Sequence, residues 1–257
     1  MNIIAVIPAH MASIRFPGKI LFPFHGLPMI EHVRRRALLS SSLSQVYIAT
    51  CDDEIANTIT DFGGEVIRTA NTHKNGTSRI AEAVSKIDCT HVILLQGDEP
   101  LLLPRHIDAL AEAIMLDPSL DAWNATGPIE SKDELDRHSF VKCAITVKNE
   151  ILYCFRRSPS YSTFECQTKF IRKILGIIGY RKEFLLELTA LAESRIEQLE
   201  SIEQMRVIEN GYFMKSVPVM PSLPSVNQPN ETHEVLSYLK NNSEQAELLQ
   251  KILPEIV

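Results

Sequence analysis

Ile3-Ile4-Ala5-Val6-Ile7-Pro8 is five apolar residues in a row, closed by a proline. A run without polar alternation has both faces buried, as a strand inside a parallel sheet does. After an intervening polar loop, Pro28–Leu39 carries Met29, Ile30, Val33, Ala37 and Leu38 at helical spacing, with Arg34, Arg35 and Arg36 on the outer side. The alternation then repeats. Gln45–Thr50 reads as a strand, Asp52–Phe62 as a helix stopped by Gly63-Gly64, and Glu65–Thr69 as a strand. Thr77–Lys86 reads as a helix with Thr77 as N-cap, His91–Leu95 as a strand and Pro104–Leu116 as a helix. Apolar strands alternating with helices are joined by right-handed crossovers, so the fold class is α/β, an open sheet of the doubly wound type. Ligands of such sheets sit beyond the carboxyl ends of the strands.

The second half is less regular. Val141–Val147 and Ile151–Phe155 flank Lys148-Asn149-Glu150 and read as a hairpin. Ile174–Tyr180 and Phe213–Pro218 read as strands, Lys182–Ala192 as a helix, and Ser201–Asn210 as a short helix stopped by Gly211. Pro229–Leu239 and Glu244–Leu253 have helical patterns. No repeat, low-complexity stretch or linker divides the chain. The expectation is one domain over residues 1–257, with a β-rich insertion within 121–225 and a helical segment over 226–257.

Composition narrows the function classes. At 257 residues and 45% hydrophobic, the chain can build a core without disulfides or metal. Its net charge of −6 gives no general attraction for nucleic acid, so a phosphate-bearing ligand needs a local cluster of cations. The cysteines, at 51, 89, 143, 154 and 166, form no C-x-x-C pair and read as reduced, mostly buried thiols. The first apolar run is too short for a signal peptide or a membrane span, which leads to the expectation of a cytoplasmic protein with no membrane insertion.

Three segments at strand ends carry chemistry. Pro8-Ala9-His10-Met11-Ala12-Ser13-Ile14-Arg15-Phe16-Pro17-Gly18-Lys19 places Arg15 and Lys19 on a loop suited to an anion such as a triphosphate. It is not a Walker A loop. Lys74-Asn75-Gly76-Thr77-Ser78-Arg79 opens a helix whose free N–H groups suit a phosphate, although the same residues also describe an ordinary turn into an N-cap. Gln96-Gly97-Asp98-Glu99-Pro100 puts a carboxylate, Asp98, at the ligand edge of the sheet, a position suited to holding Mg²⁺ against a nucleotide phosphate. Glu99 alternates to the other face and reads as a helix N-terminal acid.

With these segments together, the chain resembles the sugar-nucleotide cytidylyltransferases of the 3-deoxy-manno-octulosonate (Kdo) type. The markers are Ile7-Pro8-Ala9, Ser13, Arg15, Pro17-Gly18-Lys19, Pro28-Met29-Ile30, Asn75-Gly76-Thr77, Arg79, Gln96-Gly97-Asp98-Glu99-Pro100, Arg157-Ser158-Pro159 and Glu203-Gln204-x-Arg206. The resemblance implies a Rossmann-like, mostly parallel sheet of the nucleotide-diphospho-sugar transferase type, with residues 1–120 as the nucleotide half and 121–225 for the sugar acid and dimerisation. It implies an enzyme that joins CTP to a small 2-keto-3-deoxy sugar acid with Mg²⁺, releasing pyrophosphate, and that works as a homodimer. By the same implication, Asp98, Arg15 and Lys19 are catalytic. Pro8, Ala9, His10, Asn75, Gly76, Thr77 and Arg79 join Arg15 and Lys19 at the nucleotide. Gln96, Arg157, Glu203 and Gln204 line the acid pocket, and Asp98 and Asn227 hold the metal.

Five positions depart from that pattern. His10 stands where the family has Arg, Asn227 where it has the second metal-binding Asp, and Ser78 where it has an acidic residue. Ile174 and Ile178 stand where a His and a Tyr would face sugar hydroxyls. The acceptor is therefore left open between Kdo, a modified relative and a non-sugar acid such as a phosphonate. A catalytically impaired nucleotide-binding homologue is a further alternative.

Overall fold

The structure, a computed structural model, describes residues 1–253. The first half runs β1 (Ile3–Ala9), a small hairpin β2–β3 (Pro23–Phe24, Leu27–Pro28), α1 (Met29–Ala37), β4 (Val46–Thr50) and α2 (Asp53–Asp61). It continues through β5 (Glu65–Arg68), α3 (Gly76–Ser85), β6 (His91–Leu95) and α4 (Pro104–Leu116). β1 lies between β4 and β6, parallel to both, and β5 extends the parallel set beyond β4. Its side chains divide as the period of two demands: Ile3, Ala5, Ile7 and Ala9 enter one core, Ile4 and Val6 the other. Helices therefore cover both faces, which is why the founding run carries no polar residue.

The second half adds β7 (Ala122–Gly127), α5 (Lys132–Asp136), β8 (Lys142–Ile145), β9 (Ile151–Phe155), α6 (Phe164–Gln167) and β10 (Ile171–Arg181). Then come α7 (Lys182–Ala190), α8 (Arg195–Glu200), α9 (Gln204–Glu209), β11 (Met214–Pro218), α10 (Thr232–Asn241) and α11 (Ser243–Ile252). The sheet order is β11-β7-β10-β6-β1-β4-β5. β10 runs antiparallel to β6 and β7, and its first residues leave that register to pair with the β8–β9 hairpin. One long strand thus carries the β-rich insertion. No helix among the described residues is long and apolar enough to cross a membrane.

Several local readings need correction. Arg34 and Arg36 do not lie on an outer face: both are buried, with Arg36 wholly enclosed. α1 packs beneath α4 and α11, so its polar stripe meets protein. Glu31, itself wholly buried, answers Arg34 at 2.5 Å and Arg35 at 2.9 Å. Arg35 also donates to the Ile252 carbonyl of α11 at 2.7 Å. Thr77 is not the cap of α3; Asn75 is, its side chain accepting from Ser78 N. The helix expected over Ser201–Asn210 forms as α9, but it begins only at Gln204, because Ser201, with a left-handed φ of 54°, ends a preceding helix, α8, that the patterns missed. The patterns missed β7, whose Asn124 and Thr126 break the apolar signature although both are fully buried. The helical segment expected from Glu244 ends as helix at Ile252, and the last residues of the sequence lie outside the described ones.

Candidate active site

Two clefts open at the carboxyl edge of the parallel strands. The first, of about 460 Å³, is lined by Pro8 and Ala9 at the end of β1 and His10 beyond it, and by Cys51 and Asp52 beyond β4. Asn71, His73, Lys74 and Asn75 ahead of α3, Gly76 and Arg79 within it, Gln96–Asp98 beyond β6 and Lys19 from the loop after β1 add to the wall. The loop after β1 is held in shape from both ends. Asp52 accepts Met11 N–H at 2.9 Å, and Gly18 turns the chain with a φ of 70°, which glycine adopts without penalty. Lys19 is thereby delivered to Asp98, 2.5 Å away, and also donates to Val226 O at 3.0 Å. The carboxylate and the lysine thus neutralise one another at the mouth of the sheet.

Other cations of this cleft differ in freedom. Arg79 is buried and already donates to Thr69 Oγ1 at 2.7 Å and Ala70 O at 3.3 Å. Burial pulls the His10 imidazole below its usual pKa, and the positive charges of Arg79 and Lys19 add to this against Asp52 and Asp98. His10 therefore faces the cleft as a neutral ring, not as a substitute for an arginine charge. Arg15 lies outside the cleft lining, exposed, donating to Asn227 Oδ1 at 3.3 Å.

The second cleft, of about 420 Å³, lies on the far side of Asp98 and is assembled from distant segments. Gln96 and Asp98 line both clefts. Its apolar wall includes Ile174, Leu175 and Ile178 from β10. β10 can approach β6 here because residue 176 is glycine: a Cβ there would stand 2.5 Å from Glu99 Oε1 and 2.6 Å from Gln96 Cγ. Glu99, half-buried, accepts Gly176 N–H at 2.9 Å, and desolvation with the neighbouring Asp98 charge pushes its carboxyl up to about 7. It pins two strands and is not a helix N-terminal acid. Glu134, Arg137 and Lys173 stand on the opposite wall, with Lys173 paired to Glu134 at 2.7 Å.

The strap Ser225–Asn227 closes the junction. Val226 N donates to Asp98 O at 2.9 Å, while Glu231 accepts Asn227 N at 2.5 Å and Gln228 N at 2.9 Å. Among the described residues no group of three or more His, Cys, Asp or Glu side chains is placed to hold a metal by itself.

A family model described as Cytidylyltransferase matches residues 4–217. The chain belongs to the cytidylyltransferase family. It is 34% identical over 251 residues to the 3-deoxy-manno-octulosonate cytidylyltransferase of Geobacter sulfurreducens, covering 93% of this chain and 100% of that one. The Escherichia coli protein of the same name is 36% identical over 226 residues, 88% of this chain and 91% of the other. Among solved structures, that of CMP:2-keto-3-deoxy-manno-octonic acid synthetase complexed with CTP matches with a TM-score of 0.87 and 33% identity, covering 93% and 99% of the two chains. The inositol-1-phosphate CTP transferase from T. maritima, at 16% identity and a TM-score of 0.65, shares the fold.

In this cytidylyltransferase the positions singled out in the sequence are not all brought together. Pro8, Ala9, His10, Lys19, Asn75, Gly76, Arg79, Gln96 and Asp98 line the first cleft, and Glu203, Gln204 and Asn227 line the second. Thr77 is buried behind the first cleft, its N–H and hydroxyl donating to Glu203. With Ser78 N–H held by Asn75, the helix end offers fewer free donors than the turn sequence implied. Ser78 also stays out of the cleft lining, its hydroxyl donating to Asn75 O at 3.1 Å. Arg157 does not line the second cleft at all: its side chain is 82% exposed and lies 3.6 Å from Asp136. The cation that does line that cleft without an ion-pair partner among the described residues is Arg137, stacked 4.8 Å over the Phe140 ring. Nothing in its local sequence, just beyond α5, marks it; only the return of β10 brings that turn to the site.

Proposed function

We propose that the chain transfers the cytidylyl group of CTP to a 2-keto-3-deoxy sugar acid of the 3-deoxy-manno-octulosonate class. The observation that carries this reading is the meeting of two clefts at Gln96 and Asp98. The first cleft suits the nucleotide and the second the acid, so the acid's anomeric hydroxyl can meet the α-phosphorus at the shared wall. The hydroxyl oxygen forms the new P–O bond in line while the bond to the bridging oxygen breaks. Pyrophosphate leaves with the electron pair, and the hydroxyl proton passes to the medium. Lys19 exchanges its bond to Asp98 for phosphate oxygens and holds the charge that develops there. Arg137 is the group for the acid's carboxylate, because a guanidinium binds it bidentately. The Ile174 and Ile178 wall favours an acceptor that turns few hydroxyls toward it.

The donor set at the junction fits Mg²⁺. Asp98 is a partly exposed carboxylate already neutralised by a cation, and the Asn227 side chain supplies a second hard oxygen. With no complete protein cage, nucleotide phosphates supply the remaining ligands, as is usual for this ion. When bound there, Mg²⁺ would withdraw charge from the phosphate oxygens. Such an enzyme is placed with its CTP supply in the cytoplasm, and family resemblance favours a homodimer, which sedimentation equilibrium tests.

The test is pyrophosphate release from CTP and Mg²⁺ across a panel of acids. The account expects release with 3-deoxy-manno-octulosonate or a modified relative and none without an acid. Release with a phosphonate alone moves the acceptor class. Tight CTP binding with no release from any acid makes the chain a binding homologue.

A further inference from the structure

Glu203 stands on the wall of the acid cleft, yet its carboxylate is engaged elsewhere. Oε2 accepts the Thr77 hydroxyl at 2.5 Å and the Thr77 N–H at 3.2 Å, across 126 residues of sequence. Thr77 follows Asn75 and Gly76, both of which line the nucleotide cleft. Tyr180 of β10 is buried, and desolvation with the nearby Glu203 charge holds its hydroxyl in the protonated form, well above the usual phenol range. The segment carrying Glu203 is itself anchored: Gln204 Nε2 donates to Asn124 Oδ1 at 3.0 Å, and Asn124 Nδ2 donates to Leu175 O at 2.9 Å. One carboxylate therefore ties the start of α9, at the acid cleft, to the start of α3, at the nucleotide cleft. Its other oxygen, Oε1, takes part in no hydrogen bond among the described residues.

We propose that Glu203 is a positioning residue for the nucleotide: through Thr77 it holds the Asn75-Gly76 turn in place, and so links the acid cleft to nucleotide affinity. The inference rests on the assignment of CTP to the first cleft. An acid hydroxyl that donates to Oε1 leaves the Thr77 bonds standing and fixes the carboxylate further, so each substrate strengthens the site of the other. Such coupling is reciprocal.

Calorimetry with CTP and Mg²⁺, without acid, separates this from a purely local role. Thr77→Val removes the hydroxyl donor and keeps the shape; it is expected to weaken CTP binding about tenfold, the scale of one charge-assisted hydrogen bond. Thr77→Ser keeps the donor and is expected to restore affinity to within about twofold of the unmodified protein. Turnover at saturating CTP should show a smaller change in the KM for the acid. Should Thr77→Val fail to fold, Thr77→Ala removes the same hydroxyl donor with a smaller side chain and gives the same comparison with Thr77→Ser. A folded Thr77→Val protein that binds CTP as tightly as the unmodified one overturns the proposal. So does a shift confined to the KM for the acid. Absence of CTP binding in the unmodified protein overturns the cleft assignment itself, and the proposal with it.

Discussion

The two clefts are built in different ways, and the difference explains what each asks of the sequence. The cleft proposed for the nucleotide draws on short loops that leave β1, β4 and β6 in parallel, so its chemistry sits in contiguous strings such as residues 8–19 and 96–98. The cleft proposed for the acid is put together from α5, β10, the approach to α9 and the 222–238 segment, none of them neighbours in sequence. Its polar groups are also more engaged: Lys173 with Glu134, Glu203 with Thr77, Gln204 with Asn124. A site made of contiguous loops advertises itself. A site made by chain return has to be seen folded.

The contrast is sharpest at the shared wall. Asp98→Ala should cut turnover by at least about a hundredfold, with little change in unfolding temperature, because the carboxylate is partly exposed and, in the proposed site, would hold the Mg²⁺ that offsets phosphate charge. Initial rates and thermal melts check both halves of that statement. Lys19→Met should weaken CTP binding by roughly 10–100-fold in calorimetry while leaving the KM for the acid nearly unchanged, since the lysine lines the nucleotide cleft alone. An equal effect on both substrates would break the division between the clefts.

A smaller effect divides two arginines. Arg137→Ala should raise the KM for the acid about tenfold, the loss of one charged contact. Arg157→Ala should change it by less than about twofold, because an exposed arginine 3.6 Å from an exposed carboxylate contributes little. The reverse ranking would return Arg157 to the acid pocket and require the 157–163 segment to move on binding.

Outside both clefts, a buried histidine makes stability depend on pH. His32 of α1 is wholly buried, its Nε2 donating to Phe24 O at 2.8 Å, and burial brings its pKa down to about 4. The unfolded chain binds the proton more readily, so stability is present above the unfolded value near 6.5 and is lost as pH falls from there toward about 4. The loss is of order 3 kcal/mol, and His32→Gln should flatten that part of the urea-denaturation profile.

The fold was legible where burial is simple. The apolar run of β1 announced a sheet covered on both faces, and the β–α alternation through α4 followed from it. The sequence was opaque where burial is polar. Arg34, Arg35 and Arg36 looked like a solvated face because helical spacing cannot say that Glu31 is buried among them and that α11 lies above. Glu99 and Thr77 looked like terminal and capping residues, but their roles lie with Gly176 and Glu203, partners far along the chain. Arg157 lay in a recognisable string and Arg137 did not, yet only Arg137 reaches the cleft.

The most direct test of the account is a crystal structure of the protein with a non-hydrolysable CTP analogue, Mg²⁺ and the acid bound together. The account predicts the cytosine and ribose among residues 8–10, 71–79 and 96–97, the acid beside Arg137, Gln204 and Ile178, and the α-phosphate at Asp98 and Gln96 between them. Both ligands in one cleft, or an α-phosphate remote from Asp98, would contradict it.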